Sequence, residues 1–443
     1  MRLFSGLKRS QRAWLIGIVA VGFIARVVWM FAMPYFVPLT QQADPQEYNQ
    51  LAKNLIAGEG YCLKGLSGHF RFLMRERLNE PSARRPPLYP LLLAAIYRIF
   101  GERYRAVFLL QCLFDVVTML TVFALSRRLF GNVTVGLLAT GLAASYLPFF
   151  QQNIVIMTES LNMMLTTLSL WAIAEAVASP RTKFFVLSGV FLGAAALTRP
   201  ESLGLSITLS VGLFFILRAK KIGIRRSAQM PALMLLVVCT LLSPWVIRNA
   251  IVFHRFLPGT TLVGTNIMEG LYIPTQQNVG GVFISIPPQV ILKVDGLPEV
   301  KANDILLHEA LKFFWRHPWS WLVHAPQKVM ELWLNAAKWQ KRYFLYYPTT
   351  NRNHYIQYTF LIPNVVLLIF SAIAVFRYRG HWLLVASPIL LTLAFFSFTE
   401  TFTVSVGRHS MKMIPSLMVL AAFGLYRTFA RAPAHKPLEN GDR

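Results

Sequence analysis

Residues 85–101 read RPPLYPLLLAAIYRIFG, and whether this run crosses a membrane decides the topology of everything after it. Its roughly 15 apolar residues make a helix of about 22 Å at ~1.5 Å per residue. That is short of a bilayer's ~30 Å hydrocarbon core, and arginines flank the run on both sides. If it spanned, every later segment would invert and the basic stretch RAKKIGIRR at 218–226 would face outward. We therefore read 85–101 as a helix lying on, or dipping into, the outer surface.

Working outward from that helix, apolar runs near spanning length occur at 13–33, 106–125, 133–151, 160–178, 184–199, 202–217, 231–247, 357–376, 382–398 and 411–427. Over the 443 residues, 55% are hydrophobic and only 14% charged, which excludes an ordinary water-soluble protein. The fold class expected is an all-α integral membrane protein, a polytopic bundle of about ten transmembrane helices within a range of 10–12. The first run lacks a small-residue cleavage pattern after it and is read as a retained helix. Basic residues mark alternate connections: Arg2, Lys8, Arg9 and Arg12, then Arg127–Arg128, Arg181 and Lys183, the 218–226 stretch, and Arg377 with Arg379. By the positive-inside bias these connections, with the basic tail, are cytoplasmic.

The net charge of +25 is explained by orientation and anionic lipid headgroups; no base-reading motif or stacking platform accompanies it, so no nucleic-acid partner is expected. Cys62, Cys112 and Cys239 form neither a disulfide framework nor a spaced zinc site. Two long segments remain outside, about 34–105 and 248–356. The second mixes turn-rich stretches (GLYIPTQQNVGG at 270–281, SIPPQV at 285–290, DGLPEV at 295–300) with an aromatic, amphipathic part running from NDILLHEALKFFWRHPWSWL at 303–322 to KVMELWLNAAKW at 328–339. Tryptophans and long cationic stems among apolar residues suit an interfacial helix pair. The organisation expected is a transmembrane core at 1–247 that includes loop 34–105, a second large loop at 248–356, C-terminal transmembrane helices at 357–427, and a cytoplasmic tail at 428–443.

Chemistry is expected where ionisable side chains gather at one membrane face. In ADPQEY at 43–48, Asp44 precedes Pro45 as an N-cap would, with Glu47, Tyr48 and Leu51 following at helical spacing. Arg84 and Arg85, Glu159 in IVIMTES, Arg199 and Glu201 in LTRPES, Arg248 in SPWVIRN, and Arg408 with His409 in GRHS all fall at outer helix ends under this topology. Ionisable groups at such depth are costly and face one another or a polar cavity; the competing reading for each arginine is a snorkelling anchor. Arg26 and Asp115, inside apolar runs, read instead as a structural ion pair.

Taken in order, ADPQEY with NLIAGEGY, RRPPLYPLLLAAIYRIFG, MTES, LTRPES, PWVIRN and GRHSMKMIPSL resemble the membrane-embedded GT-C glycosyltransferases. The likeness is to the branch around protein O-mannosyltransferases and aminoarabinose transferases (glycosyltransferase families 39 and 83), and runs from about residue 13 to 425. The resemblance implies a GT-C fold with two large extracytoplasmic loops, a lipid-linked sugar donor, typically a polyprenyl phosphate, and transfer on the periplasmic side of a bacterial inner membrane. It places Asp44 at the first-loop catalytic acid, Glu159 at a second-loop acid near the site, and Arg85 at the basic position before the short helix. Protein mannosyltransferases carry adjacent Asp-Glu in the first loop, whereas here Pro45 and Gln46 separate Asp44 from Glu47, which argues against a protein acceptor. A WWDYG-like stretch is absent, so en bloc transfer to asparagine is not expected.

The chemistry expected is inverting transfer of a sugar to a hydroxyl acceptor on a glycan, a lipid or a protein. Asp44 takes the acceptor proton, and cations surround the leaving phosphate. Arg85, Arg199, Arg248 and Arg408 are the candidate phosphate ligands, with His409 assisting and Glu47 and Glu201 lining the substrate site. No cofactor is required by this reading; a divalent cation, Mg²⁺ or Mn²⁺, between Asp44 and Glu159 is the one option the hard oxygen donors leave open. Two rival classes stand beside the enzyme. A secondary transporter would put its charges near the bilayer midplane, and a non-catalytic lipid-binding scaffold would tolerate loss of Asp44.

Overall fold

A computed structural model gives the fold, and it describes residues 6–32, 43–66, 78–271, 277–279, 282–284, 286–334, 352–378, 380, 382–403 and 407–430. The expectations for 34–42 of the first loop, 335–339 of the aromatic stretch and 431–443 of the tail lie outside these residues. In chain order the helices are α1 (Arg9–Ala32), α2 (Ala43–Ile56), α3 (Leu88–Phe100), α4 (Tyr104–Phe130), α5 (Val133–Ser145), α6 (Leu147–Gln152), α7 (Glu159–Ala178), α8 (Thr182–Ala196), α9 (Glu201–Ala219) and α10 (Ile224–Phe253). Then come α11 (Val263–Leu271), a ribbon of β1 (Gln277–Val279) and β2 (Val282–Ile284), α12 (Pro288–Val294), α13 (Glu299–Arg316), α14 (Pro318–Leu334), α15 (Arg352–Arg377), α16 (Trp382–Thr399) and α17 (Ile414–Phe429).

Six of these, α1, α4, α7, α9, α10 and α16, are long and apolar enough to cross a bilayer, and shorter apolar helices stand beside them. The protein is thus a helical membrane bundle, with the antiparallel pairing of Asn278 to Phe283 in the ribbon as its small exception. The run at 133–151 departs from expectation. It is two helices, not one, because the chain turns extended at Tyr146 (φ −74°, ψ 100°) and Pro148 restarts it in the first turn of α6. Asn132 caps α5, accepting from the Thr134 and Val135 N–H groups at 2.8 and 3.3 Å.

The largest core cluster runs from α4 to α10 and α14 to α17 and includes Leu205, Leu209, Met234, Leu332 and Met418. Glycines set the closest approaches: a Cβ on Gly189 of α8 would stand 2.6 Å from the Met234 carbonyl of α10. Small residues at helix contacts are what apolar surroundings demand, since packing replaces hydrophobic drive there. Lipid-facing surfaces carry large exposed side chains such as Trp14, Ile207, Phe215 and Leu236.

Two features place the site. Helix α3 has 13 residues, about 20 Å, as short as the topology requires. It buries Tyr89, Leu93, Ile96 and Tyr97 against α2 and α4 and leaves Ile99 and Phe100 outward. The helices of the second loop form their own cluster from Met268, Leu271, Val290, Val294, Leu306 and Ala310, and α14 descends from it onto α15, α16 and the turn at Gly407–Ser410.

Candidate functional site

Helix α2 presents Glu47, Tyr48 and Leu51 on one face. Leu51 and Tyr48 are buried, the Tyr48 ring meeting Tyr89 edge-on at 5.3 Å, and this packing fixes Asp44 and Glu47 toward the segment before α3. Asp44 is not an N-cap: the helix starts at Ala43, so Asp44 lies within the first turn. Its oxygens go to guanidiniums, Oδ1 accepting from Arg85 Nη2 at 2.6 Å and Oδ2 from Arg408 Nη2 at 2.7 Å. Glu47, 2% exposed, holds Arg84 Nε at 2.7 Å and Arg85 Nε at 2.5 Å. The Arg85 guanidinium also lies 5.0 Å from the centre of the Tyr48 ring.

From Arg408 the ionic chain continues inward. Its Nε is 3.8 Å from Glu159 Oε1, which Arg199 Nη1 approaches at 3.2 Å. Arg199 Nε meets Glu201 Oε1 at 2.7 Å, and the same oxygen takes Lys412 Nζ at 3.0 Å. Lys412, buried over the Phe396 ring at 4.1 Å, reaches Glu400 Oε1 at 3.4 Å, and Glu400 Oε2 pairs with His409 Nδ1 at 2.8 Å. One continuous network therefore joins Asp44, Glu47, Arg84, Arg85, Glu159, Arg199, Glu201, Arg408 and His409, brought from α2, α7, α9 and three connections. Lys412 and Glu400 belong to it too and were missed from the sequence; Glu400 is an ionisable residue beside the run at 382–398, the same signal that flagged the others, whereas Lys412 falls inside the run reckoned from 411. Glu159 Oε2, buried, has no hydrogen-bond partner among the described residues.

Burial by itself would raise the Asp44 carboxyl, but Arg85 and Arg408 outweigh it and hold it well below the usual carboxylate range. Asp44 is thus an anion at any working pH and, so gripped, a weak base. Burial also works against the Arg85 charge, and the Asp44 and Glu47 carboxylates beside it overcome this and raise its pKa well above the ordinary value. Glu400, opposed by burial and favoured by His409 and Lys412, is brought down to about 2.

Arg248 stands apart from the network. Its Nη1 donates to the Ser82 carbonyl at 2.8 Å and to Asn249 Oδ1 at 2.9 Å, with Tyr61, Trp245 and Phe253 rings around it. On the same segment the Glu299 carboxylate accepts from Ser82 Oγ at 2.9 Å and from the Ala83 N–H. Arg248 and Glu299 thus clamp the strand of chain that delivers Arg84 and Arg85. Asp44 and Glu159 are joined through a cation rather than directly. The Arg408 guanidinium lies between them, Asp44 has both oxygens engaged, and no group of three metal-ligating side chains occurs among the described residues. A small cleft of about 80 Å³, lined by Glu80, Arg84, Phe253, Thr261, Glu299 and Asn303, opens between the two loops with Arg84 in its wall.

A bundle of membrane helices that gathers an Asp of the first loop, arginines from the following connections and a helical second loop at one end is the arrangement of the GT-C glycosyltransferase fold. Comparison with known proteins agrees. Residues 84–247, under half of the chain, match the family model described as dolichyl-phosphate-mannose-protein mannosyltransferase. No curated protein sequence matches the chain. The archaeal oligosaccharyltransferase AglB from Archaeoglobus fulgidus, in complex with an inhibitory peptide and a dolichol-phosphate, superposes with a TM-score of 0.53 at 11% identity, covering 95% of this chain and 51% of that one. The apo form of the Archaeoglobus fulgidus enzyme gives 0.54 at 12% identity, covering 96% and 51%. A looser superposition, on ArnT from Cupriavidus metallidurans bound to undecaprenyl phosphate, scores 0.44 at 14% identity and covers 94% and 78%. The chain spans about half the length of the oligosaccharyltransferases it matches, and what it shares with them is the fold.

Proposed function

We propose that the protein is an inverting glycosyltransferase that moves a sugar from a polyprenyl-phosphate donor to a hydroxyl acceptor at the extracytoplasmic face of a bacterial inner membrane. The observation that carries this is Asp44 held between Arg85 and Arg408. Guanidiniums are planar forks suited to phosphate oxygens. A donor phosphate drawing N–H groups from Arg85 and Arg408 frees Asp44, and a freed carboxylate is a stronger base. The acceptor O–H then gives its proton to Asp44 while its oxygen attacks the anomeric carbon, and the bond to the phosphate oxygen breaks with its electron pair, stabilised by the arginines. One displacement inverts the centre. Glu159, whose Oε2 has no hydrogen-bond partner among the described residues, would hold a sugar hydroxyl once the donor opens the network.

Three further observations support this reading. The charges converge at one end of the bundle rather than at the midplane positions a transporter uses, the matched family model is that of a mannosyltransferase, and one fold relative was captured with a dolichol-phosphate. On this reading 1–247 is the catalytic core with its first loop, 248–356 the second extracytoplasmic loop, and 357–427 the closing helices. Purified protein given a panel of polyprenyl-phosphate sugars should release lipid phosphate in an acceptor-dependent way. Absence of release across the panel would refute the proposal. Single cysteines at Gln277 and at Ile222 test the facing, the first reacting from outside with an impermeant reagent and the second not; labelling of position 222 from outside reverses the topology.

A further inference from the structure

Three independent contacts converge on residues 401–403, the segment that follows α16 and Glu400. Lys328 of α14, 4% exposed, donates from Nζ to the carbonyls of Gly270 at 2.5 Å, Thr401 at 2.8 Å and Thr403 at 3.0 Å. Trp321 of α14 stacks on Phe402 at 4.9 Å and donates from Nε1 to Thr401 Oγ1 at 3.3 Å. Gly270 of α11 approaches so closely that a Cβ there would collide with the Phe402 carbonyl and the Thr403 backbone. A buried ammonium satisfied by backbone carbonyls costs desolvation that an apolar residue would avoid, so its presence calls for a role beyond packing. Next to this segment Glu400 holds His409 and Lys412, and Arg408 reaches Asp44.

We infer that Lys328 is a positioning residue for the reaction: by tying α14 and α11 to Thr401 and Thr403 it sets Glu400–Thr403, and α14 with it the turn at Gly407–Ser410, so that Arg408 meets Asp44. Lys328 touches neither Asp44 nor Arg408. It acts through the backbone of 401–403, and burial lowers its own pKa to about 8 against the opposing pull of Glu400 and Glu331. The second extracytoplasmic loop is by this account part of the catalytic apparatus, supplying the seat for one of the two cations that grip Asp44. The inference rests on the proposed function for its kinetic arm and on backbone geometry alone for its other arm.

The geometric arm is hydrogen exchange on the full-length protein in detergent or nanodiscs. Lys328→Met should speed amide exchange in peptides covering 400–412 by about tenfold or more, leaving peptides of α4 and α7 unchanged; unchanged protection at 400–412, or a uniform rise through the bundle, overturns the inference. The kinetic arm is a double-mutant cycle with an active polyprenyl-phosphate sugar. Lys328→Met should lower turnover by about tenfold, and in an Arg408→Lys background it should cost less than about twofold further, because both act on one contact. Fully multiplicative losses mean Lys328 only stabilises the fold, and wild-type turnover in the single variant removes its role altogether. If Lys328→Met does not accumulate folded, Trp321→Phe loses the Thr401 hydrogen bond but keeps the ring, and should show the same pattern at smaller size. Should the wild-type protein process no donor, the proposed function falls and the exchange result alone decides the inference.

Discussion

Two sets of charges are buried in this protein, and they are built differently. In the bundle, Arg26 Nε pairs with Asp115 Oδ2 at 2.7 Å, while its Nη1 and Nη2 donate to the carbonyls of Gly22, Ala144 and Ala143 at 2.9, 3.1 and 2.8 Å. The pair is 0% and 1% exposed, and the Phe150 ring lies 4.4 Å from the guanidinium. At one end of the bundle Asp44 is 21% exposed, Arg85 12% and Arg408 15%, and the ion pairs described there run between side chains. A guanidinium saturated by main-chain carbonyls has nothing to exchange, whereas one that shares carboxylates can trade a partner for a ligand oxygen. The first arrangement joins helices; the second is suited to chemistry.

The sharpest way to break that contrast is Asp44→Asn, which keeps the size and removes the base. Turnover should fall by about 10²-fold or more with the folded yield unchanged, as read by donor-dependent phosphate release. Activity near wild type would transfer the base role elsewhere, Glu47 or Glu159 first. Arg26→Met should do the converse. Leaving Asp115 as an unpaired buried charge costs about 3–5 kcal/mol, so thermal stability and folded yield should drop while activity per folded molecule holds. A specific-activity loss matching that of Asp44→Asn would erase the distinction between the two regions.

Smaller effects sharpen it. Arg408→Lys keeps the charge but loses the fork, and should lose about tenfold in turnover at subsaturating donor, equivalent to about 1.4 kcal/mol. Arg248→Lys should lose less than about threefold, with its effect carried by the first-loop clamp, since its partners are the Ser82 carbonyl and Asn249; equal losses in the two variants would put Arg248 back among the phosphate ligands. The smallest effect expected is that of acid on stability. Burial opposes the Glu400 charge and His409 and Lys412 favour it, giving a folded-state value of about 2 against an ordinary 4.5. Its contribution is present above about pH 4.5 and is lost as pH falls toward 2, so melting temperature should be flat from neutrality to about pH 5 and then decline. A Glu400→Gln variant should show a shallower decline; an unaltered acid limb would remove Glu400 from the explanation.

Most of the bundle was legible because runs of about twenty apolar residues have few alternatives to spanning a membrane. The break at Tyr146 was not, since Leu147, Phe149 and Phe150 keep the run apolar and only the proline at 148 hinted at a new helix. Asp44, Arg85, Glu159, Arg199 and Arg408 could be grouped because each is an ionisable residue at a helix end, and assigned orientation puts those ends on one face. Lys412 was hidden inside an apolar run reckoned from 411, whereas α17 begins at Ile414 and leaves that lysine at the bundle's mouth. Arg248 was grouped with the other arginines by its place at a helix end, and its guanidinium meets the Ser82 carbonyl and Asn249 Oδ1 rather than a carboxylate of the network. Sequence spacing reports which side chains share an end of the bundle, not which oxygen each one meets.

The outer network also bears on how a catalytic cycle would end. Arg84, Arg85, Arg199, Arg408 and Lys412 are matched one for one by Asp44, Glu47, Glu159, Glu201 and Glu400, so the resting site is close to neutral apart from His409. A sugar-bearing phosphodiester brings one negative charge to it. The lipid monophosphate left after transfer carries about 1.5 to 2 at neutral pH, and guanidiniums already loosened from Asp44 would hold it more tightly than they held the substrate. Product departure is then expected to be slow, and added polyprenyl phosphate should inhibit competitively with a constant below the donor KM. An inhibition constant equal to or above that KM would show that the network relaxes around the spent lipid before it leaves.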